Sequence, residues 1–540
     1  MRYIHLIVEN PLIWALFGVY LVGTSFLAYL GHRKTTDITS FAVGKGDMHP
    51  VIVGITLAAS VASAATFVLN PGLVYVFGVS ALVHLGGAAA LGVIVGLFTL
   101  SFGFRRLGQK TKAITLPQWV GQRYGSKAMA IFFAGVNLFS ITFMVLIVAG
   151  LSIVMQFTLG LTNTESVVLI IGFVFSYIFM GGTYAHAYTN TLQGIIMVVI
   201  AGIIVASGFP LLAEGFGAFF DKIAAVNPNL VATINPQSPL YGSLFSVWIA
   251  GFVIGFALVC QPHILTKALY VKTDKAVLQY LLVSTAVSLV FTGLLLVGLY
   301  AHVADIPPAA FLDPVTGFPK ADAVVTVYIA ETFSPVMRSV IAVALMAAGM
   351  STLDGILVAL SSITANDLFL NITENNLLKT KTPEEKGKLA HRASQIILIL
   401  LGITTLVISL YPPELLSIFG QIGVFGIAAA SAAPIFFGIF VVRMPKAVIF
   451  SASVASLSIY ISLFLWGDWA MRNQANLVEI VSGWGPLQHL FDTGMYQLGL
   501  LNPAVPATYG VIASFIIATP WAVRSWIQQR AAAAEPVAEA

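Results

Sequence analysis

"GITLAASVASAATFVLNPGLVYVFG", residues 54–78, is long and apolar enough to cross a bilayer, yet it is poorly made for one continuous helix. Ala58, Ala59, Ser60, Ala62, Ser63, Ala64 and Ala65 crowd its middle, and Asn70, Pro71 and Gly72 follow. Small side chains at membrane depth have two readings. They let a neighbouring helix approach closely, or they mark a helix whose backbone is interrupted. Unpaired backbone is tolerated there only where it lines a protein-buried or watery cavity, and its free carbonyls can then hold a cation.

The rest of the chain puts this stretch in lipid. Of 540 residues, 58% are hydrophobic and 9% charged, and the mean hydropathy is +0.93. That balance describes one polytopic membrane domain rather than several soluble ones. The net charge of +4 includes no basic tract of the nucleic-acid-binding kind, and the single cysteine, Cys260, excludes an intrachain disulfide and a cysteine-cluster metal site. The first apolar run, 10–31, is too long for a signal peptide and reads as a retained span.

Taking about 20 apolar residues per crossing, the sequence predicts about thirteen transmembrane helices. They lie near 10–31, 50–78, 81–104, 127–157, 166–183, 187–211, 242–270, 275–304, 336–366, 391–411, 414–441, 446–466 and 507–526. Alternating loops then place 21 of the 26 lysines and arginines on one side, leaving Arg2, Lys222, Lys320, Arg338 and Arg472 on the other. Basic residues collect on the cytoplasmic side of short loops. The expectation is therefore a multi-pass cell-membrane protein with its N-terminus outside and its C-terminus in the cytoplasm. Residues 1–527 form a single transmembrane domain, and 528–540, ending "AAAAEPVAEA", read as a disordered cytoplasmic tail.

The ninth span carries the second unusual feature. In "MAAGMSTLDGILVALSSI" (346–363), Ala348, Ser351, Thr352 and Gly355 share one helical face. Two hydroxyls and nearby carbonyls on that face suit a hard monovalent cation such as Na⁺. The plainer reading is that the hydroxyls bond back to their own helix. Asp354 is the acid placed deep within a span, with Glu165, Asp367 and Glu414 at or beyond predicted ends. An acid at a helix centre costs about 2.5–3.5 kcal/mol. It is kept when it pairs with a cation, faces water, relays protons, or is protonated and bonded to a neighbouring helix. No intramembrane lysine or arginine is expected beside it.

Several stretches, in order, resemble the sodium/solute symporter family: "DITSFAVGKGDM" (37–48), "ASVASAATFVLNPG" (59–72), "AYTNTLQG" (187–194), "GFALVCQPHIL" (255–265) and "AAGMSTLDGILVALSSITANDLF" (347–369). The resemblance covers roughly 10–465 and is nearest in pattern to pantothenate- and monocarboxylate-type members. It implies an all-α LeuT-type fold, a five-plus-five inverted repeat (about 50–211 and 242–441) with extra flanking helices. It also implies a Na⁺ site formed by the carbonyls of Ala59, Ala62 and Ala348 and the side chains of Ser351 and Thr352. The family often has an Asp where this chain has Asn190, and Asp354 stands where relatives often carry a hydroxyl or an amide. Asp354 and Asn190 together are thus a possible second cation site, an idea that requires them to lie within about 10 Å of each other.

For the solute, the resemblance implies Ser63 and Thr66 just past the break, where a half-helix N-terminus favours an anionic group. Phe67 and Phe256 are candidate apolar walls, and Gln261 and Gln421 candidate polar contacts. Ile254 and Leu258 replace the aromatic pair of proline-transporting relatives, which argues against proline. His263 is given a structural role, and His186 of "GTYAHAY" is placed in a short inside loop. The function implied is Na⁺-coupled symport, by alternating access, of a small organic solute bearing a carboxylate, pantothenate or a monocarboxylate. The alternatives are H⁺-coupled symport through Asp354 and a transporter-like solute sensor. No nucleophile with a base, no HExxH and no phosphate loop points to an enzyme. The partners expected are the solute and the lipid bilayer, with no nucleic acid and no obligate protein partner.

Overall fold

The computed structural model describes residues 2–63, 65–312, 317, 319–373, 379–412, 416–473, 500 and 502–534. Ala64, Glu414, most of the loop 467–506 and residues 535–540 lie outside them. Among the described residues the chain is helical, with one isolated bridge pairing Leu312 and Pro319.

Two spans are bent, and they are the first helix of each expected repeat. Pro50–Val61 meets Ala65–Phe77 at 59°, and Phe245–Leu258 meets Pro262–Tyr270 at 63°. The second bend has a local cause: Gln261 takes φ −74°, ψ 142°, the extended conformation that a following proline imposes. The first has none of that kind. Its helix stops at Ala62 (φ −82°, ψ 86°), eight residues before Asn70. Pro71 lies beyond it, where the π-helical turn Ala65–Leu69 runs into Asn70–Phe77.

Among the described residues ten helices are long and apolar enough to cross a membrane, or twelve when each bent pair counts as one span. That differs from the thirteen expected, and the difference lies in the 50-residue run Asn163–Leu212, where the sequence predicts two spans. As a straight helix it would be about 75 Å long, against a hydrocarbon core of about 30 Å. Its direction reverses instead. Arg2 pairs with Glu165 at 2.8 Å, and His32 Nδ1 lies 2.7 Å from Met180 O, so residues 165–180 run parallel to Pro11–His32. Gln193 then donates to Tyr20 Oη at 2.8 Å, and Gly31 lies against Ala185, so the second half runs back. The turn is Gly182 at φ 50°, ψ −136°, a conformation open to glycine. A Cβ there would stand 2.5 Å from the Phe41 ring.

Pro335–Ile363 occupies the middle of the bundle. Of its apolar window 94% is buried, where the windows of Pro11–His32 and Asn163–Leu212 reach 28%. It packs on Asn163–Ala206, Ser140–Leu159, Pro11–His32 and Pro50–Val61. In lipid, apolar burial drives no helix pairing, so close packing and hydrogen bonds hold these contacts. The last helix runs from Ala504 to Ala534, so residues 528–534 are helical where the sequence suggests a tail.

Candidate functional site

The break in Pro50–Val61 lies against the hydroxyl face of the central helix. In an unbroken helix, Ser63 N–H would bond to Ala59 O, but it donates to Val61 O at 3.1 Å. Ala59 O accepts instead from Ser351 Oγ at 2.9 Å, and the same hydroxyl reaches Ala348 O at 2.8 Å. Three of the residues expected to hold Na⁺ are therefore one knot, with Ala62 at the adjoining helix end. Thr352 Oγ1 is buried and has no hydrogen-bond partner among the described residues. An orphaned hydroxyl costs about 1–3 kcal/mol, and a cation ligated by oxygens would relieve it. The donor set therefore fits Na⁺.

Asn190 closes this knot. Its Nδ2 donates to Ser351 O at 2.9 Å and to Ser60 Oγ at 3.0 Å, while its Oδ1 is buried without a partner among the described residues.

One turn along the central helix, the surroundings of Asp354 differ from what the sequence predicts. His186 Nδ1 lies 3.1 Å from Asp354 Oδ1. Tyr177 Oη and Thr189 Oγ1 donate to Oδ2 at 3.0 and 3.2 Å. On the far side of the imidazole, His186 Nε2 lies 2.9 Å from Lys267 Nζ. Side-chain accessibilities of His186 and Asp354 are 1% and 0%, and Lys267 is 1% accessible. Two expectations are thereby corrected: His186 is a buried helix residue rather than a loop residue, and an intramembrane lysine does face the acid. Lys267 is one of the 21 basic residues assigned to the cytoplasmic side, at the end of the predicted span 242–270, but the bend at Gln261 turns Thr266–Tyr270 back into the bundle. Asp354 and Asn190 each lie within 3.5 Å of His186 Nδ1, well inside the 10 Å their pairing requires.

Asp367, expected at a helix end, is also buried and bonds to Thr115 Oγ1 and Asn366 Nδ2. With Gln118, Gln122, Lys127 and Lys386 it lines a cavity of about 440 Å³.

The solute candidates divide. Ser63 sits at the first break, its Oγ accepting from Ala65 N–H at 3.2 Å. Thr66 is half-buried, and Phe67 is buried against the Phe291 ring, 5.6 Å away. Gln261 marks the second break, with Nε2 donating to Leu258 O at 3.2 Å. Pro262–Leu265 packs on both the central helix and Pro50–Val61. Gln421 lies between Gly420 and Ile422, whose carbonyls accept from Thr142 and Tyr460. Phe256 is not brought to the breaks. It faces outward beside Phe436 and lines, with Val511 and Phe515, an apolar groove of about 590 Å³, because its side of the helix looks toward the last span.

A bundle of this design, with oxygen atoms gathered where a broken span meets a buried helix, is that of a cation-coupled secondary transporter of the membrane. The chain belongs to the sodium:solute symporter family, whose model matches residues 41–455, and Na⁺ is its coupling ion. It is 26% identical to the sodium/pantothenate symporter of Haemophilus influenzae, covering 84% of this chain and 89% of that protein. It is 24% identical to a sodium/proline symporter of Staphylococcus aureus, covering 72% and 74%. Its LeuT-type fold matches the substrate-bound outward-open structure of a Na⁺-coupled sialic acid symporter with a TM-score of 0.71, at 16% identity over 95% of this chain and 98% of that one.

Proposed function

We propose that this transporter couples inward Na⁺ movement to uptake of a small carboxylate-bearing solute, pantothenate or a monocarboxylate. Its N-terminus lies outside and its C-terminus in the cytoplasm. The observation that carries the reading is the knot of Ala59 O, Ala348 O and Ser351 Oγ beside the orphaned Thr352 hydroxyl. An ion held there joins the broken span to the central helix, so its binding and release bias the two arrangements that alternate access needs. Ser63, Thr66, Phe67 and Gln261 sit at the two breaks and form the solute side, and similarity to pantothenate symporters supports the carboxylate class.

The test is uptake into proteoliposomes of radiolabelled pantothenate, short monocarboxylates and proline, with Na⁺ and pH gradients imposed separately. The expected result is carboxylate uptake driven by Na⁺ alone. Uptake driven by the pH gradient and indifferent to Na⁺ would establish the proton-coupled alternative and refute this one.

A further inference from the structure

Three ionisable side chains, from three different spans, meet in the interior: Asp354 on the central helix, His186 just past the reversal at Gly182, and Lys267 beyond the second break. A lysine ammonium only donates, so His186 Nε2 accepts from Lys267. The imidazole's remaining N–H, on Nδ1, is then donated to Asp354. A neutral imidazole in this tautomer joins a buried cation to a buried anion, and the assembly carries no net charge. Gly355 makes room for the ring, since a Cβ at that position would stand 3.1 Å from His186 Cε1.

The two neighbouring oxygen clusters contrast. At the sodium knot, Thr352 Oγ1 and Asn190 Oδ1 are buried without partners among the described residues, which leaves acceptors for an ion. At Asp354 both carboxylate oxygens are engaged, Oδ1 by His186 and Oδ2 by Tyr177 and Thr189. A carboxylate offers about four lone-pair directions, and three here point at protein donors.

We propose that Lys267, acting through His186, is a built-in counter-cation that takes the place of a second coupling ion, so the transporter binds one Na⁺ and Asp354 is not a sodium ligand. This rests on the sodium site proposed above. It replaces the sequence-based idea of a second cation site at Asp354 and Asn190. It also gives the relay a mechanical role: the charge that would come and go with a second ion is tethered, and it ties the bend at Gln261 to the central helix throughout the cycle.

The test counts bound sodium on the purified full-length protein by equilibrium dialysis with radioactive Na⁺ at pH 8.5, with choline balancing the ionic strength. Wild type is expected to bind one Na⁺. Lys267→Met strands the Asp354 carboxylate and is expected to bind two. Lys267→Met combined with Asp354→Asn removes both charges and is expected to return to one. Two ions on wild type, falling to one in Asp354→Asn, would overturn the proposal. So would a folded Lys267→Met that still binds one. If Lys267→Met does not fold, the wild-type count and the charge-neutral double variant decide alone. No sodium bound to wild type would instead refute the sodium site on which the proposal rests.

Discussion

Thr352→Val separates a ligand role from a structural one by the sign of its effect. The hydroxyl it removes is buried with no partner among the described residues, and valine keeps the shape. Without Na⁺, deleting an unsatisfied hydroxyl relieves a penalty of about 1–3 kcal/mol, so the variant should be at least as stable as wild type in choline buffer. In Na⁺ the balance should shift toward wild type by about 1.8 kcal/mol, the difference between the two ion-binding gains that follow. At a Na⁺ concentration of 100 times Kd, wild type gains about 2.7 kcal/mol from the ion. Losing a charge-assisted contact of about 2 kcal/mol weakens binding by about 30-fold. The variant then gains only about 0.9 kcal/mol at the same concentration. The measurement is thermal unfolding of purified protein across a NaCl series with choline chloride held complementary. A variant that is destabilised in choline, or that keeps the full wild-type response to Na⁺, would refute Thr352 as a ligand.

Gly182→Ala should lower thermal stability by about 1–2 kcal/mol or more, since φ of 50° is unfavourable for a residue with a Cβ and the added carbon meets Phe41; unfolding curves of the purified variant check this. Phe256→Ala should leave Na⁺-driven uptake of the solute identified in liposomes within about twofold of wild type, because the ring faces the outer groove. Asp274→Ala should cost about 1 kcal/mol in thermal stability, because the carboxylate is 38% accessible and its ion pairs are screened by solvent. It removes the charged partner of Arg105, whose side chain is 7% accessible and keeps Lys272 O and Gln109 Oε1 as acceptors. Asp274→Ala in an Arg105→Ala background should cost much less, and a double-mutant cycle of melting curves measures the coupling.

Much of the fold was legible because the signals are local. Composition and run length place the chain in lipid whatever its neighbours do, and Gln261-Pro262 bends its span through the steric rule for residues before proline. The hydroxyl face at Ser351 and Thr352 follows from helical periodicity alone, and the structure meets it with Ala59 O. The cost of an acid in lipid was equally readable at Asp354. Its answer was not, because positive residues near a proline-marked bend look like loop residues until the bend is placed in space.

By itself, then, the sequence determined a many-helix membrane bundle, an interrupted second span and a helix carrying hydroxyls and one anomalous acid. All of these depend on residues within a few turns of one another. Tertiary structure decided what those features face. Asp354 meets His186 across 168 positions and His186 meets Lys267 across 81, and Phe256 is turned outward although its neighbours lie near the break. The physical reason is the solvent. In lipid, polar groups are expensive until another helix satisfies them, so their partners are set by which helices pack together.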